Sequence, residues 1–510
     1  MKRLAQIGLS LAVIVLSGCP RDAEDSTAFK ADTSSGIDAG SVVDIGAGVD
    51  GAVADSSSAV DAAKVADSDP KKDGSGANDV AKAADSTPQD AGPWFDTAAV
   101  DTTVAKDAAS VDGGVAVDAK AGDTVQADAG SVDTGGLVLP KLDYGCSGGA
   151  GWARHIAVGT DFACATTKDG VVCWGNNNKE QLGSTSWAKL QFSNKAMAIK
   201  WSGQAVDIAA SDQHACIAAW GKPGARGVWC WGENFSGQVA ATGSTSNQVG
   251  TPFKVAGPVD AIGVAAGHDH SCAVTAAGEV WCWGRSWYGQ LGHKKKCSGQ
   301  KCAPVKAIGI HDAVAVAAGE GITCAVRKGN GLMCWGKNDK DLLGVGDLTS
   351  KVTVPTVVPG LPPVAAVGVG NAHVCTAGVN NQVHCWGYGL WGALGLGDTS
   401  DKTKPTLLTG IKAHAIAAGR DHNVALTPGN AVLTWGDNDY GEIGPKAQKK
   451  VLKPIAHFGM KAAVAIDTGD HATCAIDATC SVYCWGSGSM GQLGDGLGKS
   501  SDKPVKVVLK

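Results

Sequence analysis

Paired cysteines are the residues of this 510-residue chain whose type and spacing could most readily do chemistry. Twelve of the 17 cysteines form six pairs, each separated by roughly ten residues. Two sulfurs brought together can form a disulfide, and thiolates can also bind zinc. The pairs are Cys164/Cys173, Cys216/Cys230, Cys272/Cys282, Cys324/Cys334, Cys375/Cys385 and Cys474/Cys484.

Each pair flanks a turn between two predicted strands, such as the turn at Gly278. Facing Cα atoms on neighbouring antiparallel strands lie about 4.5 to 5.5 Å apart, which suits a disulfide. Zinc would need four converging ligands, and pairs on separate repeats cannot supply them. We therefore predict six hairpin disulfides and neither a metal nor another cofactor.

Five cysteines lie outside these pairs. Cys297 and Cys302 bracket a short lysine-rich insertion and are predicted to bond to each other. Cys480 replaces the turn glycine of the last repeat, and Cys146 lies just before the first predicted inner strand. We expect Cys146 and Cys480 to form a disulfide that closes the ring of repeats. The fifth, Cys19, follows an apolar N-terminal segment.

Histidines also recur at one position of the repeat. His214, His270, His373 and His422 stand two residues before the first cysteine position, and His471 stands one residue earlier. Such repetition favours a structural hydrogen bond over a catalytic or metal-binding ring. Since the chain also lacks a nucleophile elbow, a His-Glu-x-x-His motif and a phosphate-binding loop, we predict no enzymatic activity.

A repeat of about 50 residues must position these side chains, and a period near 50 is typical of a β-propeller. Each unit is too small to bury its own apolar faces, so the units must close on one another. The sequence therefore predicts an all-β, seven-bladed propeller. The repeat is marked by the dipeptides Trp174-Gly175, Trp231-Gly232, Trp283-Gly284, Trp335-Gly336, Trp386-Gly387, Trp435-Gly436 and Trp485-Gly486.

Four short strands fit each unit. In the third unit, an inner strand ends at Gly267, two strands flank Gly278, and an outer strand follows at Pro304. We expect the C-terminal strand from Pro504 to Leu509 to share one sheet with the first inner strand, which would remove an exposed edge. Inner strands are predicted around Ile156, Ile208, Val264, Val316, Val367, Ile416 and Ile466.

These repeats resemble the regulator-of-chromosome-condensation repeat family. Its units share Gly-x-x-His, a glycine turn, Val-x-x-Trp-Gly and Gly-Gln-Leu-Gly, and the last phrase stands here as Gly289-Gln-Leu-Gly292. The resemblance covers all seven units and implies a propeller that acts as a binding platform, without naming a partner. The hairpin cysteines are an addition to the general family pattern.

The N-terminus predicts export. Residues 1–18 combine Lys2-Arg3, an apolar run and the bacterial lipobox Leu16-Ser17-Gly18-Cys19, typical of a lipoprotein signal peptide. We predict that lipid on Cys19 anchors the chain in the bacterial cell envelope, on the periplasmic face or the cell surface. An ordinary cleaved signal followed by a chance cysteine is the alternative.

Residues 19–140 are predicted to form a disordered stalk. Their apolar content is too low to offset chain entropy, and residues 20–140 hold 23 acidic and 8 basic side chains, a net charge of −15. Removing this −15 and the +2 of the signal from the total of −5 leaves +8 for the propeller, residues 141–510. A basic domain favours acidic partners such as anionic glycans, although scattered solvated charges would have the same total.

The repeat loses its symmetry between Trp-Gly and Gly-Gln-Leu-Gly, where aromatic side chains collect. Aromatic residues are common at interface hot spots, but they could equally cover neighbouring blades. A lysine-rich insertion is predicted on the same rim. The candidate binding residues are Phe235, Trp287, Tyr288, Tyr388, Trp391, Tyr440, Lys294, Lys295, Lys296 and Lys301.

Together these features predict a monomeric, lipid-anchored binding propeller without catalytic activity. Its expected partner is a protein or an anionic glycan, and no nucleic acid is expected. Two alternatives remain open at this point. One is an inhibitor of a cell-wall or secreted enzyme, as some propellers of this family are, and the other is a polysaccharide lyase or hydrolase.

Overall fold

The structure, a computed structural model, describes the repeat region of the chain. It covers residues 153–510 except 188, 202, 221–225, 242–245, 295–296, 298–300, 348, 445–447, 461 and 510. The predicted signal peptide, stalk, Cys19 and Cys146 lie outside these residues. The described residues form seven four-stranded antiparallel sheets. This confirms the predicted all-β, seven-bladed propeller.

Each blade is one sheet whose four strands follow the chain from the inside to the outside. The innermost strands of blades 1 to 7 are β1 (Ala153–Val158), β5 (Gln204–Ser211), β9 (Ala261–Ala266), β13 (Ala313–Ala318), β17 (Val364–Val369), β21 (Ala415–Ala418) and β25 (Ala465–Thr468). The second strands are β2 (Phe162–Thr167), β6 (His214–Trp220), β10 (His270–Thr275), β14 (Ile322–Arg327), β18 (His373–Gly378), β22 (His422–Leu426) and β26 (Ala472–Ile476).

The third strands carry the Trp-Gly dipeptides, and the outer strands carry most of the prolines. The third strands are β3 (Gly170–Asn176), β7 (Gly227–Glu233), β11 (Val280–Gly284), β15 (Leu332–Lys337), β19 (Val383–Gly387), β23 (Val432–Asp437) and β27 (Val482–Gly486). The outer strands are β4 (Phe192–Ala198), β8 (Gln248–Val255), β12 (Cys302–Lys306), β16 (Lys351–Val357), β20 (Lys402–Leu407), β24 (Lys450–Ala456) and β28 (Ser501–Lys506).

Helical structure in the described residues is confined to three short 3-10 turns, η1 (Thr185–Trp187), η2 (Asp339–Asp341) and η3 (Leu390–Gly392). None of the helices in this part of the chain is long and apolar enough to cross a membrane.

The propeller has two faces, which we name by their loops. The top face carries the turns between first and second strands, such as residues 267–269, and the loops after Trp-Gly. The bottom face carries the hairpin turns between second and third strands, such as residues 276–279. Because the strands of a blade alternate in direction, every blade presents the same kind of loop to the same face.

The ring closes between two sheets, so the prediction that the chain ends share one sheet is wrong. The last strand β28 pairs with β27, whereas β1 pairs with β2. Blades 7 and 1 are instead joined by hydrogen bonds, for example from Trp174 Nε1 to the carbonyl of Gln492 at 2.9 Å. The backbone N–H of Val158 also donates to Asp467 Oδ2 at 2.7 Å. Each repeat already supplies its own outer strand, so no strand has to be borrowed.

One outer strand is adapted to this closure. Six of the seven outer strands have proline at equivalent positions, and blade 1 has Ala196 there instead. The N–H of Ala196 donates to the carbonyl of Val508 at the C-terminus, at 3.3 Å. Proline has no N–H to donate, and it also blocks pairing along an exposed edge. The blade that must bond to the C-terminal segment therefore lacks the residue that keeps the other edges unpaired.

All six predicted hairpin pairs are disulfides in the structure. Each bond joins the second strand of a blade to the third, across the turn that the sequence places between them. The six bonds are Cys164–Cys173, Cys216–Cys230, Cys272–Cys282, Cys324–Cys334, Cys375–Cys385 and Cys474–Cys484. Blade 6 has Val424 opposite Thr434 at this position instead.

The hairpin cysteines lie closer together than the sequence analysis expects. In blade 3, Cys272 and Cys282 are directly opposite each other in the strand register, with Cα atoms 4.1 Å apart. The predicted range was about 4.5 to 5.5 Å. The two cysteines occupy a non-hydrogen-bonded pair, in which facing Cα atoms are closest, at about 4.5 Å. The observed separation lies slightly below even that value.

The other predicted disulfides are described in part. Cys297 and Cys302 are bonded to each other. Cys480 is disulfide-bonded, and its carbonyl accepts a hydrogen bond from the N–H of Ala153 at 3.2 Å. This contact places Cys480 beside the start of the first inner strand. The predicted partner, Cys146, lies outside the described residues, so that pairing stays a prediction.

Candidate functional site

The recurring histidines hold neighbouring blades together. His270 Nε2 in blade 3 lies 2.8 Å from Thr323 Oγ1 in blade 4, and that hydroxyl donates to the carbonyl of Gln290 at 2.8 Å. The same carbonyl accepts a hydrogen bond from Trp335 Nε1 at 2.9 Å. Because the hydroxyl hydrogen points at the carbonyl, His270 must donate through Nε2–H. The equivalent joints use His214 with Ser271, His373 with Asn423, and His422 with Thr473.

These histidines are neutral structural donors. Burial lowers the pKa of His214 to about 4 and that of His270 to about 3, and the Nε2 atoms are committed to the next blade. This arrangement supports the predicted structural role. His471 differs from the prediction, since Ala472 occupies the equivalent position and the His471 ring packs 4.4 Å from that of Tyr440.

The polar joint has an apolar counterpart in the other three blade pairs. Where the histidine position is apolar, the facing residue of the next blade is also apolar. These pairs are Phe162 with Ala215, Ile322 with Val374, and Ala472 with Ala163. A buried polar group without a partner would cost free energy at such a joint. Across the seven joints, the two facing residues are therefore either both polar or both apolar.

The Gly-Gln-Leu-Gly phrase builds the top loops. The Gln290 side chain folds back, and its Oε1 accepts the backbone N–H of Tyr288 at 3.0 Å. Equivalent hydrogen bonds join Gln181 to Lys179, Gln238 to Ser236, and Gln492 to Met490. One glutamine thus fixes its own loop through the side chain and the next blade through the backbone carbonyl.

Blade 6 replaces this glutamine with glutamate. Glu442 Oε2 accepts the N–H of Tyr440 at 2.8 Å, but Oε1 is buried and has no hydrogen-bond partner among the described atoms. Burial raises the pKa of Glu442 to about 8, and the negative charges of Asp437 and Asp439 act in the same direction. Asp437 stands two residues after Trp435, where the matching Ser487 accepts a hydrogen bond from Gln492.

Glu442→Gln is expected to stabilise the propeller by about 1 to 2 kcal/mol at pH 8 and hardly at all at pH 5. With a raised folded-state pKa, wild-type glutamate adds stability that is present below its unfolded pKa and is lost as the pH rises toward 8. The amide has no such pH dependence and can donate to Asp437. Urea unfolding at both pH values measures the difference. A gain of equal size at both would show that ionisation of Glu442 is not its cause.

Three exposed apolar side chains stand at one equivalent position on the top face. Phe235, Trp287 and Leu390 each lie four residues after the Trp-Gly tryptophan of their blade and are 53%, 51% and 55% exposed. The other blades have polar residues there, namely Asn178, Asp339, Asp439 and Ser489. Leu390 is not among the predicted binding residues, which are aromatic residues of these loops and lysines of the insertion. Exposure at a position that need not be apolar points to a contact surface.

The next position along the loop has a different role. The Tyr288 ring lies beside Gly321 of blade 4 and has Lys337 Nζ 5.6 Å from its centroid. Trp391 lies 4.1 Å from Lys450 Nζ of blade 6, and Tyr440 packs on His471 of blade 7. These three candidate residues therefore cover the following blade, which was the alternative to a binding role. Tyr388 is half-buried at the edge of its loop.

Phe235 and Trp287 belong to one connected cluster across blades 2 and 3. Ser236 Oγ, next to Phe235, donates to Asp269 Oδ1 at 3.1 Å. Asp269 also forms an ion pair with Arg285, whose guanidinium lies 4.1 Å from the centre of the Trp287 ring. These contacts hold the Trp287 ring and the loop residue next to Phe235 in place before any partner arrives, which lowers the entropy cost of binding.

The lysine-rich insertion is described only in part. Lys294 is exposed, Lys301 lies against Gly237 of blade 2, and Lys295 and Lys296 lie outside the described residues. His293 stands beside the Cys297–Cys302 pair, with Nε2 3.9 Å from Cys297 Sγ. Sulfurs bonded to each other are not thiolates, so this trio is not a metal site while the disulfide is intact.

The inner strands enclose a central cavity of about 490 Å³. Its top mouth is mainly acidic, because inner turns of several blades bring carboxylates there. Burial raises the pKa of Asp421 to about 6, against the influence of Arg420, and Asp437, Asp470 and Glu320 raise it further. The sequence predicts only the basic insertion on this rim. Asp212, Glu320 and Asp470 line the cavity at this end. Asp161, Asp269 and Asp421 belong to the inner turns of blades 1, 3 and 6.

Comparison with known proteins identifies the repeat. The Regulator of chromosome condensation (RCC1) repeat matches residues 227–274, 277–326, 331–377, 380–426 and 481–510 in one form. A second form of the same repeat matches residues 153–181, 261–290, 313–341 and 413–442. The two sets together span more than half of the chain.

Curated relatives share this region. The chain is 29% identical over 348 residues to the E3 ubiquitin-protein ligase HERC2 of Homo sapiens, covering 66% of this chain but only 7% of that protein. It is 28% identical over 365 residues to the Ultraviolet-B receptor UVR8 of Arabidopsis thaliana, covering 70% of this chain and 81% of the receptor. The chain therefore aligns with only a small part of HERC2.

Solved structures show the same fold. Human WBSCR16 superposes with a TM-score of 0.56 at 21% identity, over 63% of this chain and 85% of that one. Yeast RCC1 (Prp20), in a structure bound to Kap60, superposes with a TM-score of 0.53 at 21% identity, over 62% and 78%. Because the repeat matches span more than half of the chain, the chain belongs to the RCC1 repeat family.

Proposed function

We propose that this propeller is a non-enzymatic binding platform that captures a protein partner through its top face. The observation that carries the proposal is the exposure of Phe235, Trp287 and Leu390 at one position of the repeat. Aromatic side chains held in place by neighbours are the usual anchors of protein interfaces. The relatives support an interaction role in general terms, since yeast RCC1 is named in a complex with Kap60.

The recurring polar groups of the repeat do not supply a reaction centre in the described residues. The four histidines of the joints donate to the next blade, and the glutamines of the top loops bond to their own backbone. Both sets of side chains therefore form structural hydrogen bonds, which would be lost if the side chains acted as acids or bases. A binding role, in contrast, needs only the loop side chains that project beyond this network.

The triple variant Phe235→Ala, Trp287→Ala and Leu390→Ala is expected to lose partner capture while its stability stays within about 1 kcal/mol of wild type, as for surface positions. A matched control removes three exposed apolar residues of the bottom face, with Val259→Ala, Ile308→Ala and Phe458→Ala. Trp391 is left out because it contacts Lys450 of the next blade.

Cross-linking in envelope extract followed by mass spectrometry measures the capture. A partner recovered by wild type and by the bottom-face control, but not by the top-face variant, supports the proposal. Equal recovery by all three proteins overturns it. A large loss of stability in the top-face variant would show instead that these side chains pack as part of the fold.

We also propose that lipid on Cys19 holds the propeller at a bacterial envelope, at the end of the acidic segment 20–140. The support is the lipobox Leu16-Ser17-Gly18-Cys19 and the net charge of −15, which favours an extended chain. Cys19→Ala is expected to move the protein from the detergent phase to the aqueous phase, or to leave an unprocessed precursor. Unchanged partitioning between the phases would contradict lipidation.

A further inference from the structure

The outer strands carry a group of lysines that has no role in the fold or in the proposed contact of Phe235, Trp287 and Leu390 with a protein. The residue before the proline position is lysine in four blades, and we call Lys195, Lys404, Lys453 and Lys503 the lysine array. They belong to blades 1, 5, 6 and 7, which are consecutive once the ring is closed. The same position holds Thr251, Ala303 and Val354 in blades 2, 3 and 4.

The array presents its charge to solvent. All four side chains are exposed, and none of them forms an ion pair with another described residue. The stems of Lys453 and Lys195 lie over Gly397 and Gly496 of the preceding blades. A stem fixed on a neighbour while its ammonium group stays in water holds the charge at a defined place.

From this surface we propose that the lysine array binds a linear acidic polysaccharide along the circumference of blades 5, 6, 7 and 1. Lysine binds anions as a point charge and needs no particular ligand geometry. A row of such charges on consecutive blades therefore suits a polymer with repeated carboxylate or sulfate groups. This inference concerns lysines of the outer strands and not the exposed top-face residues Phe235, Trp287 and Leu390. It does not depend on the proposed protein partner.

The shape of the array favours a flexible polymer over a membrane. Four of seven blades span more than half of the circumference, so a flat anionic bilayer would touch only part of the array at once. A linear chain can follow the curve and meet all four lysines. The chemistry also favours a glycan over nucleic acid. Of the four strands that carry the array, β20, β24 and β28 contain no aromatic residue and β4 has only Phe192. Single-stranded nucleic acid is usually bound by aromatic stacking of successive bases.

Edge protection alone does not explain the array. Lysine and proline on outer strands do prevent strands of other molecules from pairing. Six blades have the proline, however, and blades 2, 3 and 4 do without lysine at the preceding position. Protection of an exposed edge is needed equally by all of these blades, so it does not account for lysines gathered on one side.

Binding of the full-length protein to immobilised polygalacturonate tests the proposal. The variant Lys195→Gln, Lys404→Gln, Lys453→Gln and Lys503→Gln is expected to bind at least about tenfold more weakly at low salt, since fewer counterions are displaced. The matched control removes the same charge from blades 2, 3 and 4, with Lys254→Gln, Lys306→Gln, Lys328→Gln and Lys351→Gln. Its affinity is expected to change less than about twofold.

Two further variants test whether a loss of binding is caused by misfolding. Replacing the four array lysines with arginine keeps the charge and is expected to keep the binding. Lys404→Gln with Lys503→Gln spares the two stems that lie on glycine, and a loss of about threefold is expected. Residues 20–140 keep their −15 in every variant, so differences between variants arise from the propeller.

Several outcomes would overturn the proposal. Equal losses in the array variant and in the control would show that only net charge matters. If the wild-type protein did not bind polygalacturonate at low salt, the proposal would be wrong. Array-dependent binding that is tighter to single-stranded DNA, or to vesicles rich in phosphatidylserine, would assign the surface to a different class of ligand. Neutral dextran, which lacks anionic groups, is expected not to bind any of the proteins.

Discussion

Replacing Gly336 with alanine is expected to destabilise the propeller by about 3 kcal/mol or more, which is a large effect for a single substitution. Gly336 follows the buried Trp335 and has φ +113°. A Cβ atom at this residue would overlap the carbonyl oxygen of Gly321, in the turn after the inner strand β13. That carbonyl cannot move freely, because it accepts the N–H of Lys337 at 2.8 Å.

Gly329 provides the matched control. It lies in the same blade and has a similar φ of +103°, but a Cβ atom there would meet nothing within 4 Å. Gly329→Ala carries only the backbone strain, which we expect to cost about 1 kcal/mol. Urea unfolding of both variants measures the two costs. Similar values would mean that φ alone explains the glycine of Trp-Gly and that its close approach to the inner turn is unimportant.

The period of the repeat was enough to place the strands. Each residue around which an inner strand is predicted lies in the observed inner strand. The cysteine spacing also predicted pairs that are directly opposite in the strand register. Both results follow from local chemistry, because a tight hairpin allows little choice in which residues face each other. Such features repeat seven times, and the repetition removes most of the ambiguity of short strands.

Ring closure could not be predicted from the period. A repeat that begins at its inner strand and one that begins at its outer strand have the same spacing, so periodicity does not decide which strands share a sheet. The informative signal was a single exception, Ala196 at a position where the other blades have proline. Its meaning becomes clear only when the N–H of Ala196 is seen to bond to Val508.

The candidate binding residues could be separated only with the structure. Adjacent positions of one loop differ in role, since Trp287 is half exposed while Tyr288 covers the next blade. Both are large aromatic residues, and the sequence contains no simple signal for the direction in which each side chain points. Leu390 is not aromatic and was therefore not predicted, although its exposure is similar to that of Trp287.

The joint between blades 3 and 4 provides the second large expected effect. Thr323→Val is expected to cost about 2 to 3 kcal/mol, because it leaves the buried Nε2–H of His270 without an acceptor. His270→Ile should also destabilise, through the loss of the same hydrogen bond. The double variant would resemble the natural joint of Ile322 with Val374. We therefore expect its cost to be about 1 to 2 kcal/mol smaller than the sum of the single costs.

A distant pair of the same chemistry makes this cycle specific. His270→Ile combined with Thr473→Val changes the same residue types in joints that do not touch, since Thr473 pairs with His422. Its costs should add within about 0.5 kcal/mol. If the contacting pair were equally additive, the hydrogen bond between blades would contribute nothing of its own. The matching of polar with polar and apolar with apolar residues around the ring would then need a cause other than stability of the joints.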